Sequence, residues 1–134
     1  MKRTDQGLAR HQRLTRSADF RAAFDARQKT VGRLMVMYLL PRPDGSLRLG
    51  VVSSRKLGNA VERSRARRLL REVFRRHRSE FSGTYDVVLI ARRELLDAKW
   101  QDIEKDLFDI AHRAGIYRAP EKRQSSEAET EGAG

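Results

Sequence analysis

The sequence predicts an α+β fold: a single-domain α-β-β-α-β-α sandwich with helices packed on one mixed sheet, and room in the loops for one further short strand. Three observations predict it. Two strand-sized apolar segments flank a turn rich in proline and glycine, a long helix-periodic stretch follows, and a nearly all-apolar run precedes a last amphipathic helix. At 134 residues the chain suits one compact domain and can bury one sizeable core.

The elements are justified in chain order. Met1–Arg16 is a basic arm, with Lys2, Arg3, Arg10, Arg13 and Arg16, and is too poor in apolar residues to be stable alone. Ser17 reads as the N-cap of a helix running to about Arg27, with Phe20, Ala23, Phe24 and Arg27 on one face. Leu34–Leu40 is uncharged and mostly apolar, Pro41 and Pro43 stop it, and Asp44-Gly45 makes a turn. Leu47–Ser53 follows with Leu47, Leu49 and Val51 alternating, so Leu34–Ser53 reads as a hairpin.

After the loop Lys56-Leu57-Gly58, Asn59 and Glu62 have the spacing of a capping pair that starts a long helix ending near Arg78. Ser82-Gly83 breaks the chain, and Tyr85–Ala91 is apolar enough to be a strand buried on both faces. Hairpin, helix and strand together suggest a β-α-β crossover, which base rates make right-handed. Asp97 is read as the cap of the last helix, whose stripe is Trp100, Ile103, Leu107, Ile110, Ala111 and Ala114, with Gly115 as its stop. The boundaries are therefore 1–16 for the arm, 17–118 for the sandwich domain and 119–134 for a polar tail expected to be disordered. No internal repeat is visible.

Charge narrows the function. Twenty-nine lysines and arginines stand against 18 acids, a formal net charge of +11. The tail is itself net acidic, with Lys122 and Arg123 against Glu121, Glu127, Glu129 and Glu131, so the surplus lies in the domain and arm. Such a surplus attracts polyanions, with nucleic acid ahead of a membrane surface or an acidic protein. No apolar run is long enough to cross a bilayer and no secretory signal precedes the domain, so a cytoplasmic location and no membrane partner are expected. The absence of cysteine excludes disulfides and thiolate chemistry.

The surplus concentrates on the long helix. On a wheel of about 100° per residue, Ala66, Leu69, Leu70, Val73 and Phe74 share one arc. Arg65, Arg67, Arg68, Arg71, Arg75, Arg76 and Arg78 cover the opposite side with Ser64, and Glu72 is the one acid among them. Arg63 and His77 project on the apolar side near the ends. Like charges at these spacings cost a few tenths of a kcal/mol per pair, which a bound polyanion relieves. Arginine forks grip phosphates with paired hydrogen bonds and stack on bases, which favours nucleic acid. A membrane helix would need its apolar face free.

No catalytic constellation is evident. His11, His77 and His112 lie far apart without an evident acid or nucleophile, and Asp102, Glu104, Asp106 and Asp109 read as a solvated helix face. Neither a catalytic nor a metal-ligating residue is therefore assigned in the protein.

From Arg13 to Ile116 the chain resembles the bacterial ribonuclease P protein family. The resemblance centres on Arg55-Lys56-Leu57-Gly58-Asn59-Ala60-Val61-Glu62-Arg63-Ser64-Arg65-Ala66-Arg67-Arg68-Leu69-Leu70-Arg71-Glu72. The family pattern there is basic-Lys-x-Gly-x-Ala-Val-x-Arg-Asn-Arg-x-basic-Arg-x-x-Arg. Arg13-Leu14, Asp19-Phe20 with Phe24, and Val87-Val88-Leu89-Ile90-Ala91-Arg92 match as well. Ser64 stands where the family has asparagine, and keeps a donor and an acceptor but loses the amide's two-pronged geometry.

The resemblance implies a left-handed β-α-β crossover and two RNA surfaces. Arg55, Lys56, Asn59, Arg63, Ser64, Arg65, Arg67, Arg68 and Arg71 would contact the catalytic RNA. Phe20, Phe24 and Tyr38 would line a cleft for the 5′ leader of precursor tRNA, although both phenylalanines also suit a core. Phosphodiester hydrolysis, removing the leader to give the mature tRNA 5′ end, would belong to the RNA and its Mg2+ ions. Two other classes share the composition. A ribosomal or structural RNA-binding protein would not be expected to carry the long motif, and a DNA-binding regulator should show a helix-turn-helix and a dimerising surface, which are not visible; no DNA partner is expected.

Overall fold

The structure, a computed structural model, describes residues 10–117 apart from Asp44, Ser46, Ser82 and Gly83. The polar tail, most of the basic arm, and parts of the Asp44-Gly45 and Ser82-Gly83 turns thus lie outside the described residues. The elements are α1 (Ser17–Asp25), β1 (Gln28–Val31), β2 (Met35–Pro41), β3 (Arg48–Val52), α2 (Ala60–His77), β4 (Tyr85–Ala91) and α3 (Trp100–Ala114). The architecture is the α+β sandwich expected, with the further short strand realised as β1.

The sheet order is β1-β2-β4-β3, with β4 antiparallel to β2 and parallel to β3. This overturns the hairpin read over Leu34–Ser53. β4 is buried over most of its length, and a strand apolar on both faces gains most from neighbours on both sides. It therefore separates β2 from β3. The hairpin is instead β1 with β2, turning at 32–34. Gly32 is required there, because a Cβ would lie 2.6 Å from Asp106 Oδ2 and 2.9 Å from the Met35 carbonyl.

Pleating divides the residues between two faces. Met35, Met37 and Leu39 of β2, Leu49 of β3, and Val87 and Leu89 of β4 are buried with Ala66, Leu70, Val73 and Phe74 of α2. Ile103, Leu107, Ile110 and Ala111 of α3 complete that core, as the helical stripe implied. The other face has a smaller cluster beneath α1, with Leu14, Ala23 and Val88 buried. Leu14 belongs to the basic arm, and its N–H donates to the Leu49 carbonyl at 2.9 Å.

Two caps differ from the sequence reading. Arg16, not Ser17, is the N-cap of α1, and Lys99, not Asp97, that of α3; neither makes a side-chain cap bond. Asp97 instead ends a 3-10 turn, Arg93–Asp97, whose buried Leu95 sets the approach to α3. α1 stops at Asp25, and Arg27 takes the left-handed conformation at φ 57 to turn into β1. Gly115 stops α3 at φ 82, as expected.

Candidate nucleic-acid interface

The start of α2 is built by its own sequence. Asn59 accepts from the Glu62 N–H at 2.8 Å, and the Glu62 carboxylate accepts from the Asn59 N–H at 2.9 Å, closing the expected capping box. A Cβ at Gly58 would lie 2.2 Å from Glu62 Oε1, so a side chain there would push the capping carboxylate aside. Leu57 is buried, Arg63 Nη1 donates to the Gly58 carbonyl at 2.9 Å, and Arg93 donates to the Leu57 carbonyl. Fastened this way, the turn leaves Arg55 and Lys56 exposed.

The arginines of α2 divide by what already holds them. Arg67 donates to Ser53 Oγ at 2.8 Å and Arg65 to the Leu96 carbonyl at 3.1 Å. Arg75 and Arg76 both bind Glu72, and these hydrogen bonds hold its carboxyl below the usual range against partial burial. Arg78 was expected to face outward. It is half-buried and donates to the Leu47 carbonyl at 2.6 Å, and burial lowers its pKa, because the helix end turns there onto the start of β3.

Arg68 and Arg71 are exposed, and their guanidinium groups have no hydrogen-bond or ion-pair partner among the described residues. Partial burial, then the charges of Arg67, Arg13 and Arg68, lowers the Arg71 pKa. Arg13 thus extends the α2 cluster from a segment that touches β3, a proximity that sequence distance conceals. Ser64 is exposed, with no side-chain partner among the described residues. Val61, 76% exposed, lies on the same helix face as Ser64, Arg65 and Arg68. Its place in the family pattern was the signal that an apolar residue there need not be core.

Phe20, Phe24 and Tyr38 come together on the opposite face of the sheet. A Cβ at Gly50 would lie 2.5 Å from Phe20 Cε1, so this glycine lets the ring rest on β3. Phe24 meets Tyr38 edge-on, with centroids 4.9 Å apart, and the Lys29 ammonium lies 6.0 Å from the Tyr38 centroid. One cavity of about 380 Å³ opens against Phe20, Phe24 and Val52, and another of about 400 Å³ against Phe24, Arg27, Lys29 and Tyr38. All three aromatic residues are half-buried, and each lines one or both of these openings.

Two groups read as uncommitted are structural. His77 Nδ1 lies 3.0 Å from Glu80 Oε2, and Nε2 lies 2.8 Å from Glu104 Oε2, which ties α2 to α3. Its partner Glu104 is distant in sequence, so no local pattern shows the pair. Asp106 is 6% exposed and accepts from the Arg33 and Leu34 N–H groups at 2.9 Å each, holding the β1–β2 turn rather than facing solvent. Among the described residues no group of three or more histidines, aspartates or glutamates is placed to hold a metal ion, and no helix is long and apolar enough to cross a membrane.

A family model described as Ribonuclease P matches residues 8–115. The chain is 38% identical over 106 residues to the ribonuclease P protein component of Pelotomaculum thermopropionicum, covering 79% of this chain and 95% of the relative. It is 33% identical over 112 residues to that of Halalkalibacterium halodurans, with 83% and 94% covered. Among solved structures, the Staphylococcus aureus RNase P protein superposes with a TM-score of 0.71 at 30% identity, covering 80% of this chain and 98% of that one. The Thermotoga maritima RNase P protein gives 0.68 at 27% identity, with 75% and 96% covered.

Proposed function

The chain belongs to the ribonuclease P protein family, and from that premise we propose that it is the protein subunit of a tRNA-processing endonuclease, binding the catalytic RNA with α2 and the 5′ leader of precursor tRNA in the aromatic cleft. The observation that carries this reading is the separation of an arginine face from an aromatic groove, on opposite sides of one thin sheet. A single-strand binder needs stacking platforms beside cations, and the groove has Phe20, Phe24 and Tyr38 beside Arg27 and Lys29. A structured-RNA binder needs free guanidinium groups in a fixed array, as Arg55, Arg68 and Arg71 are on the turn and helix.

The assigned residues take different tasks. Arg55, Lys56, Arg68 and Arg71 contact phosphates of the catalytic RNA, with Arg65 and Ser64 beside them. Asn59, Arg63 and Arg67 fix the turn and helix start that present these groups. Magnesium ions held by the RNA supply the hydrolytic chemistry, while this chain lowers phosphate repulsion and selects substrates that have a leader. That activity belongs in the cytoplasm.

Reconstitution tests the proposal. The protein, the catalytic RNA of its own source and precursor tRNA are mixed at low magnesium. We expect 5′ cleavage to be stimulated strongly over RNA alone. Unchanged cleavage with RNA-competent preparations would refute the proposal.

A further inference from the structure

The sheet register places a second charged site on the open face. Three cross-strand rows lie there: Val36, Ile90 and Val52; then Tyr38, Val88 and Gly50; then Leu40, Asp86 and Arg48. The third row floors a depression of about 1320 Å³ at the N-terminal end of α1, lined also by His11, Arg13, Arg16 and Arg42. That exceeds the roughly 300–1,000 Å³ of small-molecule pockets and suits part of a polymer.

The floor is electrostatically closed. Asp86 is 2% exposed, and its carboxylate accepts from Arg48 at 2.8 Å on each oxygen and from Arg42 at 3.3 Å. The hydrogen bond to Asp86 is the main cause that raises the Arg48 pKa. Asp19 lies 3.8 Å from Arg48, at the helix edge. The wall is different. Arg13, Arg16 and His11 have no side-chain hydrogen-bond or ion-pair partner among the described residues. Four arginines against two aspartates leave the depression cationic, and the unpaired charge is on the wall.

Its position identifies the anion. Leu40 belongs both to the aromatic cluster and to the lining of the depression. The third row lies two strand residues, about 7 Å, from the Tyr38 row. At the other end of the face, Val52 leads into Ser53, which receives Arg67 of α2. The far end of α2 returns to the depression, where Arg78 donates to the Leu47 carbonyl, so only the start of α2 and the turn before it lie beyond Ser53. A strand stacked on Tyr38, with its cleaved end toward that start, therefore continues into the depression at its other end.

We propose that this depression binds backbone phosphate of the precursor leader, on the 5′ side of the nucleotides held by Tyr38, with Arg16 and Arg13 as the donors. The inference rests on the leader reading above. Substrate contacts then extend into the basic arm, which the Leu14 N–H fastens to β3.

Leader length tests it. Holoenzymes with wild-type protein, Arg16→Ala or Tyr38→Ala are assayed for binding of precursors whose leader grows one nucleotide at a time, and for affinity between protein and catalytic RNA alone. Arg16 is exposed, and an unchanged melting temperature checks folding. In the wild type, affinity should keep rising after the Tyr38-dependent gain is complete. Arg16→Ala should remove that later gain, about tenfold, as for one charged hydrogen bond, and flatten the salt slope for long leaders by about 0.7. Retention of the later gain in Arg16→Ala, with the Tyr38-dependent gain intact, would overturn the depression site alone. An equal loss of affinity for catalytic RNA alone would assign the phosphate to that RNA and overturn it too. A wild type indifferent to any leader would refute the leader reading itself.

Discussion

On β2, Met35, Met37 and Leu39 are buried beneath α2 and α3, while Val36, Tyr38 and Leu40, alternating with them, are half-buried beneath α1. The same strand thus serves a closed face and an open one. Two helices cover the first; a nine-residue helix covers part of the second, with charged depressions beyond its ends. Apolar surface left by the shorter cover stays partly open, whereas that under α2 and α3 is used up in folding. Folding and binding should therefore respond to mutations on different faces.

The largest expected effect separates the faces directly. Phe74 is fully buried and stacked on Phe81 at 5.2 Å, so Phe74→Ala should cost about 3–5 kcal/mol. Phe24→Ala, at a half-buried position, should cost about 1 kcal/mol yet weaken binding of leader-containing precursors. Urea unfolding and substrate binding measure the two. Equal stability losses would mean that the α1 face is an ordinary second core.

Asp106 comes next. Replacing it with alanine leaves the Arg33 and Leu34 N–H groups without their carboxylate and should cost about 2–3 kcal/mol. The damage should stay on the closed side, so hydrogen exchange should rise at the β1–β2 turn. Exchange rising equally at the start of α2 would show the molecule to be one unit.

These assignments show what the sequence made legible. The α2 helix and its capping box could be read because periodicity and the Asn59–Glu62 pair are local. Strand pairing could not, since Pro41, Pro43 and Gly45 mark a reversal without saying which strand lies alongside. A run as apolar as Tyr85–Ala91 does imply neighbours on both sides, and that was the available clue to the order β2-β4-β3. β1 is mainly polar, Gln28-Lys29-Thr30-Val31, as an edge strand can be, so no alternation revealed it. The arginines were legible as a class, but not which of them are occupied. Arg63, Arg65 and Arg78 are held by backbone carbonyls, of Gly58, Leu96 and Leu47, and no side-chain pattern marks a carbonyl.

That division among the arginines gives the third prediction. Arg68→Ala with Arg71→Ala should weaken catalytic-RNA binding and lower the salt slope by about one for each phosphate no longer neutralised. Arg75→Ala with Arg76→Ala should change the slope less, since Glu72 already occupies both guanidinium groups. Free protein lacking Arg71 should be slightly more stable, by a few tenths of a kcal/mol, as repulsion from Arg67, Arg13 and Arg68 is relieved. Identical slopes for the two double variants would erase the distinction.

The smallest effect tests the same distinction from the acid side. Hydrogen bonds from Arg75 and Arg76 lower the Glu72 pKa in the folded protein. Its stabilisation is therefore present above the ordinary carboxylate range and lost as pH falls through the lowered folded value. The carboxylate is 36% exposed, so solvent screening limits the contribution to a few tenths of a kcal/mol. Glu72→Gln should melt slightly lower than wild type at neutral pH, with the gap closing as pH falls below the ordinary carboxylate range. The same change frees two guanidinium groups, so RNA binding should become more salt-dependent while the protein becomes less stable. A gap constant across that pH range would make Glu72 a packing residue, and Arg75 and Arg76 would then be as available to RNA as Arg68 and Arg71.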